Sequence, residues 1–292
     1  MFTVLSAIFV TVEFDWNILL LIGAGFVAGV VNTFAGGGSL LTLPVLIFMG
    51  LPAAVANGTN RISIILQTFS STAGFYSKGI KTFPFSLYLA MPATIGAIIG
   101  ARIAIDIPEE LFNRILAFVM IAVVVYLVSQ RKSGLKDLVE RLSGKHLWLS
   151  MLFFFFIGIY GGFIQAGTGF LVLLVLSLVN RLSLVKSNAV KVFVIMLFNF
   201  AAIATFAIEG QIKWSYGLLM SIGSMSGAWL ASRWSVNKGD KLVKIFLVIM
   251  VIAMAVKLWF FTDTEPDNQP VDTEQVSFHK QPASIENTFT CI

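Results

Sequence analysis

Ala35-Gly36-Gly37-Gly38-Ser39 interrupts a long apolar stretch, residues 17–50, and this break has a counterpart in the second half of the chain. The counterpart, Ala166-Gly167-Thr168-Gly169, interrupts a second apolar stretch, residues 147–180. Inside a bilayer, non-helical backbone is tolerated only where protein covers it or where it lines a cavity. Two breaks in matching places therefore predict an internal repeat with a shared site between the halves.

The composition is that of an integral membrane protein. Of the 292 residues, 57% are hydrophobic and 12% are charged, whereas soluble domains carry about 25% charged residues. The formal net charge of +5 is attributed to loop lysines and arginines that set membrane orientation, and it gives no indication of nucleic-acid binding. The single cysteine, Cys291, excludes an intrachain disulfide.

Six further apolar stretches are each long enough to cross a bilayer, which takes about 20 residues. The segment after each glycine break is shorter than that, so each broken stretch is predicted to be a re-entrant helix–break–helix hairpin. The predicted fold is an all-α polytopic membrane protein of two inverted repeats, each a broken hairpin plus three transmembrane helices. The six predicted spans are residues 53–77, 84–104, 110–129, 187–208, 214–234 and 241–261.

Three further segments flank and join the two repeats. In the 1–16 lead-in, residues 1–12 are apolar but lack a basic n-region, and Glu13 and Asp15 follow, so the lead-in is interpreted as uncleaved. The 262–292 tail carries too little apolar surface to fold alone and is predicted to be disordered. Between them we place the first repeat (17–129), a basic cytoplasmic linker (130–146) and the second repeat (147–261).

The basic residues predict the orientation of the chain. With six spans and two re-entrant hairpins, every basic cluster falls on one side of the membrane, which the positive-inside rule identifies as the cytoplasm. Each half then crosses three times, so the second repeat is inverted relative to the first, as in many secondary transporters. Both termini are predicted to lie outside. The basic clusters are residues 78–81, 131–145, 181–186 and 233–244.

Arg61 and Lys191 are the two cations that we interpret as lying inside the membrane, whereas every acidic residue and histidine lies outside the predicted spans or at their ends. Arg61 follows Ala56-Asn57-Gly58-Thr59-Asn60, and Lys191 follows Lys186-Ser187-Asn188-Ala189-Val190 in the equivalent span. A cation at the bilayer centre costs about 2.5–3.5 kcal/mol or more. Snorkelling to the interface is the alternative, and for Lys191 alone it is nearly as good an explanation. Their matching positions, without a carboxylate, favour a bound anion as counter-ion.

The glycine breaks supply further groups for an anion site. The short helix after each break would direct its N–H groups and positive dipole end at a common cavity, and glycine lets the backbone approach a ligand. Nearby hydroxyls and amides suit a sulfonate, sulfite or sulfate; interhelical hydrogen bonding is the alternative, and is preferred for Gln67 and Asn199. The candidate substrate-binding residues are Arg61, Lys191, Gly36, Gly37, Gly38, Ser39, Asn57, Thr59, Asn60, Gln165, Gly167, Thr168, Gly169 and Asn188.

These motifs resemble the TauE/SafE sulfite-exporter family, also called TSUP. The resemblance rests on Gly25-Phe26-Val27-Ala28-Gly29, on Ala35–Ser39 with Pro44, and on Ala56–Asn60, and it covers residues 17–261. It implies a bacterial inner-membrane carrier for sulfur-containing anions such as sulfite, sulfoacetate or other organosulfonates. The second half departs from the first by having Thr168 where the first has Gly37.

The leading hypothesis is a secondary transporter that exports a small sulfur-containing oxyanion by alternating access. An anion channel with the same site as a filter, or an importer of another small anion, shares these features, and a membrane assembly factor would leave the paired cations unexplained. An intramembrane enzyme would need a nucleophile with a base, or a metal cluster, in the spans; none is expected, nor is a cofactor. The coupling ion, proton or sodium, and the oligomeric state stay open.

Overall fold

Helices account for all the regular secondary structure in the part of the chain that the structure describes. The computed structural model describes residues 16–129 and 140–234. The lead-in up to residue 15, most of the linker, the predicted span 241–261 and the tail lie outside these ranges. The described helices are α1 (Trp16–Ala35), α2 (Ser39–Phe48), α3 (Ala53–Ser77), α4 (Phe85–Asp106), α5 (Glu109–Ser129), α6 (Lys145–Phe163), α7 (Thr168–Leu178), α8 (Leu184–Ile208) and α9 (Trp214–Trp234).

Both long apolar stretches break at their glycine clusters with a helix on each side, which confirms the predicted breaks, while the re-entrant course of each stretch stays a prediction. In the first break, between α1 and α2, Gly36 has a φ of +82°. In the second, between α6 and α7, Gly167 has a φ of +74° and is left-handed. A side chain with a Cβ rarely adopts such backbone, so glycine is needed there. Gln165 also has a positive φ, 61°, which the glycine pattern did not predict.

The helix starts offer a second alignment of the two breaks. α2 begins at Ser39 and α7 begins at Thr168, and aligned by these starts Thr168 corresponds to Ser39. Aligned by their positive-φ glycines, Gly36 and Gly167, Thr168 corresponds to Gly37, as the sequence comparison placed it.

Four described helices are long and apolar enough to cross a membrane: Trp16–Phe34, Phe85–Asp106, Lys145–Phe163 and Leu184–Ile208. The first and third of these are the long arms of the broken stretches. At about 1.5 Å per residue, each extends roughly 30 Å, the thickness of the hydrocarbon core. The short arms, α2 and α7, have 10 and 11 residues. The arms of each broken stretch are thus markedly unequal.

The helices α3 and α9 correspond to two of the predicted spans but are not among those four. They have 25 and 21 residues, respectively, so length does not exclude them. Their serine, threonine, asparagine and glycine residues lower their hydropathy. In α3 most of these polar side chains are buried, including Asn57, Asn60 and Ser63. Most of this helix is therefore covered by protein, and its buried polar residues face neighbouring helices.

Close glycine contacts join α4 to α6 and α1 to α9. A Cβ at Gly96 would overlap the carbonyl oxygen of Phe155, and one at Gly100 would overlap that of Ile159. Small residues four apart let two helix backbones approach in this way, so the packing interpretation of Gly96 and Gly100 is confirmed. The corresponding contacts of α1 with α9 are Gly25 on Met220, Gly29 on Ser224, Gly223 on Ile22 and Gly227 on Phe26.

The two glycine breaks touch each other inside the protein. A Cβ built on Gly36 would overlap the backbone of Gly169, and one built on Gly169 would overlap Gly36. The first short helix is buried along most of its length, from Ser39 to Pro44 and again at Leu46. The breaks are therefore covered by protein, the condition under which irregular backbone is tolerated at membrane depth.

Candidate functional site

Arg61 of α3 is completely buried, with an exposed fraction of 0%. Its Nη1 donates hydrogen bonds to the carbonyl oxygen of Gly161 at 3.1 Å, to Gln165 Oε1 at 3.2 Å and to Asn199 Oδ1 at 3.1 Å. These acceptors belong to the end of α6, the second glycine break and α8. One guanidinium thus links three separate parts of the second half.

The second terminal nitrogen of Arg61 completes this arrangement. Its Nη2 donates to Asn57 Oδ1 at 3.3 Å and to the carbonyl oxygen of Gly162. The guanidinium carbon also lies 4.8 Å from the ring centre of Phe206, a cation–π contact. The planar fork of arginine suits such a set of acceptors, because several donors point outward in one plane.

Lys191 of α8 is also completely buried, with an exposed fraction of 0%. Its Nζ donates to the carbonyl oxygens of Asn32 at 2.9 Å and Thr33 at 3.1 Å, and to Asn188 Oδ1 at 2.6 Å. An ammonium has three donors, and these three contacts use them. Asn32 and Thr33 lie near the end of α1, directly before the first glycine break.

The two cations therefore bind crosswise between the halves. Arg61, in the first half, reaches the last turn of α6, and Lys191, in the second half, reaches the last turn of α1. Thr33 and Gly161 each lie two residues before the end of their helix. The carbonyl oxygens at a helix C-terminus carry a partial negative charge, so they stabilise a nearby cation.

Both side chains end inside the protein, so snorkelling to the interface does not explain them. Among the described residues, the ion pairs are Arg114 with Glu110 and Lys186 with Glu140, and neither buried cation takes part. Only neutral oxygens accept hydrogen bonds from Arg61 and Lys191 in that part of the chain.

Two buried donors at the site have no hydrogen-bond partner among the described residues: Asn60 Nδ2 and Arg61 Nε. Thr42 Oγ1 of α2 donates to Asn60 Oδ1 at 2.6 Å, so the amide oxygen is engaged while its NH₂ group is not. Buried polar groups rarely lack a partner in native proteins.

The structure brings several predicted residues to the cations. Asn57 accepts from Arg61, and its Nδ2 donates to the carbonyl oxygen of Phe163 at 2.7 Å. Gln165 accepts from Arg61, and Asn188 accepts from Lys191. Amides at these positions are therefore part of the hydrogen-bond networks around the buried charges.

Thr59 is not brought to either cation. Its Oγ1 accepts a hydrogen bond from the backbone N–H of Lys213 at 2.9 Å. The preceding Gly58 packs on the carbonyl oxygen of Gln211, where a Cβ would not fit. Both residues thus hold the loop that leads into α9, which is the interhelical role considered as the alternative.

The first glycine break closes part of its own first helical turn. The N–H groups of Leu40 and Leu41 donate to the carbonyl oxygens of Gly37 and Gly38 at 3.1 Å and 3.0 Å. The dipole argument expected the first N–H groups of this helix to be directed at a ligand. These two donors are instead used within the break and the helix itself. Ser39, the first residue of α2, is 3% exposed, so its hydroxyl lies inside the protein.

The second glycine break is held by side-chain hydrogen bonds. Thr168 Oγ1 donates to the carbonyl oxygen of Gln165 at 2.8 Å. Tyr160 of α6 donates its hydroxyl hydrogen to the carbonyl oxygen of Ala166 at 2.5 Å. The break is thus a defined loop, and the Gln165 side chain leaves it to contact Arg61.

Some residues of the site were not predicted. Asn199 was interpreted as an interhelical hydrogen-bonding residue; it has that role, and its partner is Arg61. It lies two turns after Lys191 on α8, so its helical spacing from Lys191 could have indicated that it belongs to the site. Phe206 and the carbonyl groups of Asn32 and Gly161 gave no signal, because neither an aromatic ring nor a backbone oxygen is distinctive in an apolar sequence.

No three His, Cys, Asp or Glu side chains within residues 16–129 and 140–234 come together in a way that could hold a metal ion. Membrane-length helices, two broken stretches and buried cations held by helix ends instead define a multi-pass α-helical membrane protein with a polar interior. The chain belongs to the sulfite exporter TauE/SafE family, whose model matches residues 21–258, and it is a membrane transporter of that family.

Relatives that are named probable membrane transporter proteins match most of the chain. A probable membrane transporter protein, ORF9, of Sinorhizobium is 31% identical over 235 residues, which are 80% of this chain and 89% of the relative. A probable membrane transporter protein of Haemophilus influenzae is 31% identical over 246 residues, 82% of this chain and 96% of the relative. The probable membrane transporter protein YfcA of Escherichia coli K12 is 26% identical over a match that covers 82% of this chain and 90% of the relative. No solved structure matches the chain.

Proposed function

We propose that this TauE/SafE family member is a secondary transporter that exports a small sulfur-containing oxyanion, such as sulfite, sulfoacetate or another organosulfonate, by alternating access. The observation that carries the proposal is the pair of fully buried cations without a carboxylate partner among the described residues. Each is held by carbonyl oxygens across the two halves. A cation so placed inside a membrane protein marks an ion or substrate pathway by default.

The carbonyl contacts are proposed to be the substrate-free arrangement of the site. The full negative charge of an oxyanion attracts Arg61 and Lys191 more strongly than the partial charge of a carbonyl oxygen does, so an oxyanion would compete well with carbonyl oxygens. Arg61 Nε and Asn60 Nδ2, which have no partner among the described residues, would be the first donors to the anion. Releasing a carbonyl oxygen from Arg61 or Lys191 would free further donors.

The glycine breaks are proposed to line the same site. Their contact at Gly36 and Gly169 places both breaks beside the helix ends that the cations hold. A movement of one half against the other would alter this contact and both crosswise sets of hydrogen bonds together. The further residues proposed to contact the anion are Gly37, Gly38, Ser39, Asn57, Gln165, Gly167, Thr168 and Asn188.

An inverted arrangement of the two repeats, 17–129 and 147–261, is part of this proposal. The crosswise binding of the cations and the equivalent α1–α9 and α4–α6 glycine contacts support a two-fold relation between the halves. Inverted repeats that rock against each other around a central site are the usual plan of secondary transporters. We propose an inner-membrane location with both termini outside, which follows from the loop charges.

A flux assay in proteoliposomes tests the proposal. We expect uptake or release of labelled sulfite or sulfoacetate under a proton or sodium gradient. Arg61→Gln and Lys191→Gln should each lower the flux at least about tenfold, because a hydrogen bond to a charged group contributes about 1.5–3 kcal/mol. The matched controls are Arg102→Gln and Lys186→Gln, which change exposed cations and should leave the flux unchanged.

Three outcomes would contradict the proposal. Folded protein that moves no sulfur oxyanion under either gradient would exclude the substrate class. Uncoupled flux far above carrier turnover would identify an anion channel instead. Full flux in both buried-cation variants would show that Arg61 and Lys191 only hold the helix ends together.

A further inference from the structure

A cavity of about 430 Å³ lies between the C-terminal end of α3, the loop that follows it, and α8. Its volume is within the range of small-molecule sites in proteins, about 300–1,000 Å³. The wall from α3 and its loop includes Thr72, Phe75 and Lys81, and the wall from α8 includes Ala189 and Phe193. None of these residues belongs to the networks around Arg61 and Lys191.

The polar groups of this cavity include a hydroxyl without a partner. Thr72 Oγ1 is buried and forms no hydrogen bond among the described residues. Ser86 is completely buried, and its Oγ accepts a weak hydrogen bond from Thr82 Oγ1 at 3.3 Å. Lys81 is exposed at the rim. Thr72 lines the cavity, but its Oγ1 has almost no accessible surface, so the hydroxyl meets a ligand only after the side chain turns. Lys81 and a turned Thr72 together offer a cation and an unsatisfied donor to an anionic group.

The rest of the cavity is aromatic and aliphatic. Phe75 is 1% exposed, whereas Tyr76 and Phe83 at the mouth are 72% and 70% exposed. Phe193 lies between these extremes. An inorganic oxyanion would gain nothing from such surfaces, whereas an apolar group buried against them gains about 25 cal/mol per Å². The cavity therefore fits an anion that has an organic body.

Sequence neighbours link the cavity wall to the residues that hold Lys191. Ala189, in its wall, follows Asn188, which accepts from Lys191. Thr72 follows Ser71, whose Oγ is 2.8 Å from Thr33 Oγ1, and the Thr33 carbonyl oxygen also accepts from Lys191. A buried apolar cluster contains Phe75 and Ala189 from the cavity wall together with Val192, the residue after Lys191.

We propose that this cavity is a loading site for an amphiphilic organic anion, an alkyl- or arylsulfonate, on the path to Lys191. The sulfonate lies against Lys81 and Thr72 Oγ1, and the organic body lies against Phe75 and Phe193. The inference deepens the proposed transport function and rests on it for the direction of movement, while binding in the cavity stands independently.

Equilibrium binding to the purified full-length protein tests the cavity, with benzenesulfonate as the probe and inorganic sulfate as the comparison. The protein is placed in nanodiscs of zwitterionic lipid. We expect Thr72→Val to weaken benzenesulfonate binding about tenfold, because it removes a hydrogen bond to a charged group. Lys81→Gln should weaken it roughly twofold to fivefold, as for an exposed charge. Sulfate should bind more weakly than benzenesulfonate to the unaltered protein.

Matched controls exist on the same elements. Thr68→Val lies one turn earlier on α3, where Thr68 Oγ1 already donates to the carbonyl oxygens of Ile64 and Ile65. Lys78→Gln removes another exposed cation of the same loop, one that does not line the cavity. Both controls should bind benzenesulfonate like the unaltered protein, and thermal unfolding verifies that every variant is folded.

The outcomes separate this inference from the transport proposal. Unchanged binding in both Thr72→Val and Lys81→Gln overturns the loading site, even if flux is normal. If Lys191→Gln abolishes binding and Thr72→Val leaves it intact, the probe binds at Lys191. This outcome also overturns the loading site. Absence of binding in zwitterionic nanodiscs, with anionic lipid held at the cavity instead, identifies a lipid site and overturns the loading site as well. Loss of binding in Thr72→Val without any flux of sulfur oxyanions supports the cavity and contradicts the transport function.

Discussion

At the scale of single residues, the buried cations have a structural role as well as the proposed functional one. Arg61 and Lys191 donate to carbonyl oxygens at the ends of α6 and α1, where the last carbonyl groups of a helix lack intrahelical partners. The Asn32 oxygen also accepts from the Gly36 N–H. The sequence predicted these cations and most of their amide partners. It could not predict the carbonyl partners, because every residue has a carbonyl group and only the fold selects which ones are near.

Asn199 allows the network around Arg61 to be tested without removing the charge. Asn199→Leu leaves Arg61 with one acceptor fewer, so we expect the free energy of unfolding to fall by about 1–3 kcal/mol. The control is Thr205→Val on the same helix, because Thr205 donates only to the carbonyl oxygen of Ala201. Thermal unfolding in detergent measures both. Equal stability of the two variants would mean that Asn199 is dispensable to Arg61.

At the scale of elements, glycine determines how closely the helices pack. The repeated pairs of small residues predicted tight packing, and the structure identifies the partners: α4 with α6, and α1 with α9. Pairing between helices this distant in sequence does not follow from local pattern. The pairing depends on which helix faces meet once the breaks redirect the chain. The two breaks contact each other at Gly36 and Gly169.

Gly100 tests the packing of α4 against α6. A methyl group at this position would overlap the carbonyl oxygen of Ile159, so Gly100→Ala should lower the unfolding temperature by several degrees, corresponding to about 1–3 kcal/mol. Gly23→Ala on α1 is the matched control, because no atom lies within 4 Å of the position that its methyl group would take. There alanine should be neutral or stabilise the helix by about 0.5–1 kcal/mol. If Gly100→Ala is as stable as Gly23→Ala, the close approach is not required.

At the scale of the whole molecule, the two halves are joined through interlocking polar contacts as well as through apolar packing. Ser63 Oγ on α3 donates to Ser224 Oγ on α9 at 2.8 Å, and Arg61 and Lys191 cross in opposite directions. The proposed alternating access requires these contacts between the halves to change during transport, whereas contacts within one half can persist.

A reversible disulfide across the halves tests this movement. In a Cys291→Ser background, oxidation of Ser63→Cys/Ser224→Cys should form a disulfide, because the side chains are close enough for its geometry. We expect flux in proteoliposomes to be lost on oxidation and restored by a reductant. The control pair is Thr33→Cys/Ser71→Cys, whose hydroxyls are also 2.8 Å apart but lie within the first half. Loss of flux only in the control pair would show that the movement occurs inside the first half and not between the halves.

By itself, the sequence determined that this protein is an α-helical membrane protein. It also determined that glycine breaks two long apolar stretches and that two cations lie inside the membrane. Each of these properties is local: the cost of burying charge and the backbone freedom of glycine act at the residue concerned. The tertiary structure alone decided that each cation reaches the helix end of the other half, that Gly36 meets Gly169, and that Thr59 serves a loop. These contacts join residues far apart in the chain, so they exist only once α3 and α8 pack between the broken stretches.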